Sequence, residues 1–211
     1  MNSKQTHWEK IYTYKNPQEV SWTQKKPALS LSWIESLYLP KDAAIIDVGG
    51  GESHLVDYLI DMGYCDITVL DISRAALNRS QERLGSKANS VQWIQADITT
   101  FQPKKKYALW HDRAVFHFLT QKEDIETYTN TVSVAVDQYL LMSTFSKDGP
   151  LKCSGLPIKQ YNIESISANF SFSFELIQQD VSSPLGQSDM WLIFLNQNGD
   201  LITSTSNCLF T

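Results

Sequence analysis

From Ala43 onward the chain alternates short apolar runs with segments whose apolar residues fall at helical spacing. Ala43–Val48 (AAIIDV) is nearly continuous in apolar residues, the pattern of a strand covered on both faces. Ser53–Met62 then carries Leu55, Val56, Leu59 and Ile60 on one helical stripe. Asp66–Leu70 reads as a second strand, and Ser73–Leu84 as a second helix with Ser73 at its N-cap. Val91–Gln95 and Tyr107–Trp110 are a third and a fourth strand, Glu123–Val136 a helix, and Gln138–Phe145 a fifth strand. Phe172–Asp180 and Met190–Asn196 follow with only the turn-rich Ser182–Gly186 between them, which predicts an antiparallel hairpin at one sheet edge. Strands alternating with helices predict right-handed βαβ units and a mainly parallel α/β sheet. Residues 1–42, with a helix at Ala28–Leu37, read as an N-terminal lid rather than a separate domain.

Composition narrows the function classes. At 211 residues, 42% hydrophobic and 19% charged, the chain suits one ordinary globular domain. A net charge of −5 argues against a nucleic-acid footprint, which needs a basic face. Lys104-Lys105-Lys106 is the one basic run and reads as a solvated loop. Cys65, Cys153 and Cys208 are scattered, without the paired spacing of a metal site, and suit a reducing compartment. The opening MNSKQTHWEKIY has no apolar core of a leader peptide, and no run reaches the length of a membrane span. The expectation is a cytoplasmic protein, monomeric, with no metal, nucleic-acid or membrane partner.

Ligands of open parallel sheets bind beyond the carboxyl ends of the strands. Here the first predicted strand runs into Asp47-Val48-Gly49-Gly50-Gly51, the second into Asp71, and the third into Asp97. One such acid alone reads as a helix cap. Three at successive strand ends, beside glycines whose missing Cβ lets a ligand approach the backbone, point to a nucleotide-like cofactor. Asp71, 20 residues beyond Gly51, is spaced to accept two ribose hydroxyls, and Asp97 to receive the amine of adenine. A dinucleotide such as NAD fits less well. Its third glycine is replaced by His54, Glu52 sits where a pyrophosphate wants an unopposed helix end, and the chain is short for a second nucleotide-binding half. Asp47 and Glu52 instead suit a ligand bearing an ammonium and a sulfonium. The expected cofactor is S-adenosylmethionine.

The segments IIDVGGGES, VLDIS, QADIT and YALWHD resemble the successive motifs of class I S-adenosylmethionine-dependent methyltransferases over roughly Ala43–Phe145. That resemblance implies a Rossmann-like seven-stranded sheet with helices on both faces and the last strand antiparallel. It implies that Gly49 and Gly51 lie against the methionine part of the cofactor, that Asp71 holds the ribose, that Ile72 packs on adenine, and that Asp97 and Ile98 frame the base. The pattern departs from the family at Ser53, where a further glycine is usual. HWEKIY, EVSW, WHDRAVFHFLT and DGPLKCSGLPIKQY resemble a bacterial branch of uncharacterised methyltransferases, and the N-terminal W…Y…SW pattern is weakly similar to thiopurine and elongation-factor lysine methyltransferases. The expected organisation is one domain over 1–211, with a lid at 1–42, a cofactor-binding core at 43–145, and an acceptor-side loop with the closing hairpin at 146–211.

Methyl transfer needs a positioned acceptor, and a base only when the acceptor must lose a proton. Trp110–His117 is expected after the fourth strand and concentrates His111, Asp112, Arg113 and His117. His111 or His117 would accept a proton near neutral pH, Asp112 would orient a histidine or an amine, and Arg113 would grip a carboxylate. The bland readings are a core histidine at His117 and an Asp112–Arg113 pair that fixes the loop. Among the lid aromatics Trp8, Tyr12, Tyr14 and Trp22, Trp22 is the expected cofactor contact, through cation–π attraction to the sulfonium. Nothing demands a nucleophilic role for Cys153. The sequence thus points to methyl transfer onto a small molecule, with a protein lysine as the alternative acceptor and a non-catalytic cofactor-binding module as the alternative class.

Overall fold

The first apolar run becomes strand β1 (Ala44–Val48) in a computed structural model that describes residues 3–14, 24–113, 115–182 and 189–198. Trp22 and most of the predicted Ser182–Gly186 link therefore lie outside the described residues. The chain divides into two units, one built on Met1–Thr100 and one on Phe101–Leu201.

In the first unit β1 runs parallel to β2 (Asp66–Asp71), and β2 runs parallel to β3 (Val91–Gln95). Ile45, Ile46, Val69, Leu55, Leu59 and Leu77 are wholly buried there. Each such side chain contributes about 1.5–3 kcal/mol when removed from water. The register Val48↔Leu70 brings β1 to its end one residue short of Asp71. The glycines that follow β1 therefore turn beneath the Asp71 carboxylate.

Among the described residues, four α-helices complete this unit. α1 (Ser3–Tyr14) was legible only as part of a lid, and it buries Ile11 and Tyr12. α2 (Ala28–Ser36) follows the predicted bounds within a residue. α3 (Leu55–Asp61) starts two residues later than predicted, because Gly50-Gly51-Glu52-Ser53 closes a turn in which the Ser53 N–H donates to the Gly50 carbonyl (2.7 Å). α4 (Arg74–Leu84) begins after Ser73, whose hydroxyl accepts from the Ala76 N–H (3.2 Å), and stops at Gly85, where φ is +57°.

The second unit orders its strands β4-β5-β7-β6, with β4 (Tyr107–Asp112) parallel to β5 (Val136–Phe145). β7 (Asp189–Asn196) is antiparallel to β5 and to β6 (Phe174–Ser182). Together the two units hold the seven strands of the expected mainly parallel sheet, with the last strand antiparallel. β4 extends two residues past its predicted end, so His111 and Asp112 sit on the strand and not in the loop after it. α5 (Lys122–Ala135) buries Ile125, Tyr128, Val132 and Ala135 on one stripe. α6 (Ile163–Phe170) was not predicted. Its signal is the capping box of Asn162 with Ser165 and the buried pair Ile166 and Phe170. The DGPLKCSGLPIKQY stretch holds a two-residue ladder, Lys152–Cys153 against Leu156–Pro157, where only a loop was expected.

Among the described residues no helix is long and apolar enough to cross a membrane. Among the described residues Cys153 is a free thiol.

Candidate functional site

The first unit brings together the residues that sequence spacing singled out. Asp47, at the end of β1, is 3% exposed, and Asp71, at the end of β2, is 4% exposed. Gly49 has φ +71°, a left-handed conformation that favours glycine, and donates its N–H to the Leu70 carbonyl (2.7 Å). The Gly51 N–H donates to Asp71 Oδ2 (3.0 Å), and the Ser73 N–H to Asp71 Oδ1 (2.7 Å). The glycine loop and the acid after β2 are therefore one hydrogen-bonded unit.

No side chain fits in this cradle. A Cβ on Gly51 would lie 2.5 Å from Asp71 Oδ2 and 2.6 Å from the Ala76 Cβ. A Cβ on Gly50 would lie 2.4 Å from Asp47 Oδ2. Gly50, passed over in favour of Gly49 and Gly51, is thus as constrained as Gly51. The run of three glycines was the available signal.

A carboxylate has about four acceptor positions, and Asp71 commits two of them, one per oxygen, to backbone N–H groups. The remaining acceptor capacity suits a vicinal diol, so the donor set fits the ribose of an adenosine ligand. Burial pushes the Asp71 carboxyl up to about 7, against the lowering effect of the Ser73 and Gly51 N–H groups, and the charges of Asp47 and Glu9 add to the rise. An unfolded Asp loses its proton near pH 4, so between about pH 4 and pH 7 the unfolded state binds fewer protons than the folded one. Stability due to this group is full below pH 4 and is lost as pH rises to 7. Urea unfolding at pH 5 and pH 8 should show a smaller loss in Asp71→Asn than in the wild type. Equal losses in the two proteins would contradict the assignment.

Asp97 follows β3, and its Oδ1 accepts from the Thr99 N–H (3.0 Å) and hydroxyl (2.8 Å), while Ile98 is 5% exposed and Ile72 half-buried. Gln95 joins the two strand ends, with its Nε2 donating to the Ile72 carbonyl (3.4 Å) and its Oε1 accepting from Arg74 Nε (3.0 Å). Glu52 corrects a sequence expectation. It was read as a charge waiting for a cationic ligand, yet it forms an ion pair with Arg79 (3.1 Å). Arg83 braces the same loop, donating to both Asp57 oxygens (3.1 and 2.8 Å) and to the Ser53 carbonyl (2.8 Å). Arg79 and Arg83 of α4 thus clamp residues 52–57 in place.

The second unit holds the residues expected on the acceptor side. Asp112 is fully buried; its Oδ1 accepts from the Val115 N–H (2.8 Å) and weakly from the Phe116 N–H (3.4 Å), and its Oδ2 from the Tyr128 hydroxyl (2.6 Å). Tyr128 in turn accepts from Trp110 Nε1 (3.1 Å). Asp112 thereby holds the chain where it leaves β4 and enters the 3-10 turn Phe116–Phe118. His111 is also buried, at 2% exposure.

His117 does not match its expected basicity. Burial against Phe118 and Phe145, with ring centroids 4.4 and 4.8 Å away, drives it down to about 3, so it is neutral at physiological pH and a poor proton acceptor. Asp189, the first residue of β7, was not singled out. It pairs with Phe145 across the ladder, and burial raises its carboxyl to about 6 while the charge of Arg113 pulls the other way. Its position at a strand start, after a turn-rich link, carried no local signal. Burial raises the Cys153 thiol and lowers its thiolate fraction, so it has the character of a structural thiol.

Comparison with known proteins agrees with this fold. The family described as "Methyltransferase domain" matches residues 45–137. The mouse "eEF1A lysine and N-terminal methyltransferase" is 26% identical over 121 residues, 56% of this chain and 17% of that protein. "Malonyl-[acyl-carrier protein] O-methyltransferase 2" of Ilyobacter polytropus is 29% identical over 105 residues, 49% of this chain and 40% of that one. The chain thus spans less than half the length of these curated relatives. Among solved structures, a Synechocystis magnesium protoporphyrin IX methyltransferase with bound S-adenosylmethionine superposes with a TM-score of 0.72 at 13% identity, covering 93% of this chain and 98% of that one. A Burkholderia thailandensis 1,6-didemethyltoxoflavin-N1-methyltransferase gives 0.73 at 15% identity, with coverage of 94% and 89%. At these identities the likeness establishes the fold.

Proposed function

We propose, from the premise that this chain resembles the class I S-adenosylmethionine-dependent methyltransferases in sequence motifs and in fold, that it transfers the methyl group of S-adenosylmethionine to a small-molecule acceptor. The observation that carries the proposal is Asp71, a buried carboxylate tied to the Gly51 N–H with acceptor capacity left for a ribose diol. When bound, the cofactor supplies a methyl group made electrophilic by its sulfonium.

The chain's own residues then have the following roles. Gly49, Gly50 and Gly51 let the methionine part approach the backbone, and Asp47 faces the loop that receives its ammonium. Asp71 holds the ribose hydroxyls. Ile72, Asp97 and Ile98 frame the adenine, and Trp22, outside the described residues, is the proposed aromatic contact to the sulfonium. On the acceptor side His111 and Arg113 are the candidate groups that meet substrate, with Asp112 as the residue that positions them. Asp189, with its carboxyl near 6, is an additional candidate proton acceptor at neutral pH.

Calorimetry with S-adenosylhomocysteine tests the cofactor. The wild type should bind it, and Asp71→Asn should lose about 30- to 1000-fold in affinity, the equivalent of about 2–4 kcal/mol for hydrogen bonds to a charged acceptor. Wild-type affinity should rise with pH through about 7, as the carboxylate forms. No detectable binding by the wild type would refute the cofactor assignment.

A second reading makes the acceptor a protein lysine. It is favoured by the likeness to the eEF1A lysine and N-terminal methyltransferase over 121 residues. A radiolabelled-methyl screen of small-molecule and protein fractions separates the two by where the label goes. Cofactor binding without any labelled acceptor would favour a non-catalytic binding module.

A further inference from the structure

We propose that Glu9 latches the N-terminal helix α1 onto the ribose end of the cofactor site, so that docking of this helix and binding of the adenosine part form one coupled equilibrium. The proposal rests on the cofactor reading above and adds to it a residue and a moving part.

The latch is built from two hydrogen bonds. Glu9 Oε1 accepts from the Ala75 N–H (3.1 Å), and Glu9 Oε2 accepts from the Ser73 hydroxyl (2.8 Å). The first turn of α4 has N–H groups with no partner inside the helix. Ser73 takes one of them, at Ala76, by its own side chain (3.2 Å). Glu9, 66 residues away in sequence, takes another at Ala75. The cap of α4 is thus shared between a local serine and a carboxylate delivered by a different helix. A negative charge at that end is also favoured by the helix dipole.

The same serine leads directly to the ligand site. The Ser73 N–H donates to Asp71 Oδ1 (2.7 Å), and Asp71 Oδ2 accepts from the Gly51 N–H (3.0 Å). One chain of contacts therefore runs from α1 through Glu9, Ser73 and Asp71 to the glycine loop. Any shift of α1 pulls on the residue that orients the ribose acceptor.

α1 depends on its neighbours for its helical form. A helix of 12 residues is marginal on its own in water, and only Ile11 and Tyr12 of this one are buried. The two bonds of Glu9 tie it to the start of α4. Ligand binding and helix docking then support each other, and linkage requires that the effect be reciprocal.

The test uses the full chain, with S-adenosylhomocysteine as probe. Hydrogen exchange should slow at least tenfold across residues 3–14 on ligand addition to the wild type. Glu9→Ala should speed exchange of that segment in the free protein and weaken calorimetric affinity about tenfold. Glu9→Gln keeps an oxygen for the Ala75 N–H and should recover to within threefold of wild type, a rescue that mere loss of folding would not show. Glu9→Ala binding within twofold of a wild type that binds, or α1 exchange indifferent to ligand, overturns the coupling alone. A wild type that fails to bind sinks the cofactor reading and the coupling with it. Where Glu9→Ala does not fold, the wild-type exchange result decides by itself.

Discussion

Gly51→Ala should abolish measurable S-adenosylhomocysteine binding in a protein that still folds. The added methyl would sit 2.5 Å from Asp71 Oδ2, 2.6 Å from the Ala76 Cβ and 2.8 Å from Asp71 Cγ. None of these can swing aside. Ala76 is fixed in the first turn of α4, and Asp71 is held by the Ser73 N–H (2.7 Å). Relief comes only from moving the loop, which breaks the Gly51 N–H bond to Asp71 and displaces the carboxylate from its ribose-accepting position. Overpacking of this kind costs roughly 1–3 kcal/mol of stability. The affinity loss should be about 100-fold or more, since both walls of the site move. Gly85→Ala is the control: a Cβ there meets nothing within 4 Å, and only the φ of +57° is strained. It should cost about 1–3 kcal/mol of stability and leave binding intact. Calorimetry and urea unfolding on the two variants read both effects, and Gly51→Ala binding within fivefold of wild type would contradict the cradle geometry.

Asp112→Ala should be the most destabilising single change in the second unit. It strands three donors at once: the Val115 N–H, the Phe116 N–H and the Tyr128 hydroxyl, among residues that are largely buried. Hydrogen bonds to a charged group contribute about 1.5–3 kcal/mol each, and because the three share one carboxylate the combined loss should be about 3–5 kcal/mol. For a chain of this length that is a fall in melting temperature of roughly 6–20 °C. Tyr128→Phe removes only one of the donors and should cost about 1–2 kcal/mol. Burial and the neighbouring Asp112 charge hold the Tyr128 hydroxyl well above its ordinary range, so it stays protonated and remains a donor. Denaturant midpoints with an unchanged slope are the measurement. An Asp112→Ala protein as stable as the wild type but unable to methylate would instead make Asp112 a catalytic residue.

What the sequence revealed divides by distance along the chain. β1, β2 and β3 and the positions of Asp47, Gly51, Asp71 and Asp97 were readable because an apolar run followed by an acid is a local signal. The contacts that organise these positions were not. Glu9 meets Ala75 across 66 residues, Arg79 meets Glu52 across 27, and Tyr128 meets Asp112 across 16. A charge on a helix surface has the same appearance whether it faces water or a partner. This is why Glu52 was assigned to a ligand and Glu9 to nothing. His111 and Asp112 were placed in a loop for a different reason: polar residues at the end of a strand break the apolar run, although the backbone ladder continues beneath them through Asp112↔Met142. His117 was offered as a base because histidine titrates near neutrality in water, and burial among aromatic rings removed that property.

The carboxyl of Asp71, near 7 in the free protein, has a calorimetric consequence. If ribose is held by the ionised form, each binding event at pH 7 must expel about half a proton into the buffer. The heat of binding then contains the heat of protonating the buffer. Titrations in phosphate, whose protonation is nearly athermal, and in Tris, whose protonation is strongly exothermic, should return the same affinity but different enthalpies. The slope of observed heat against buffer ionisation heat counts the proton directly, and that slope should vanish in Asp71→Asn.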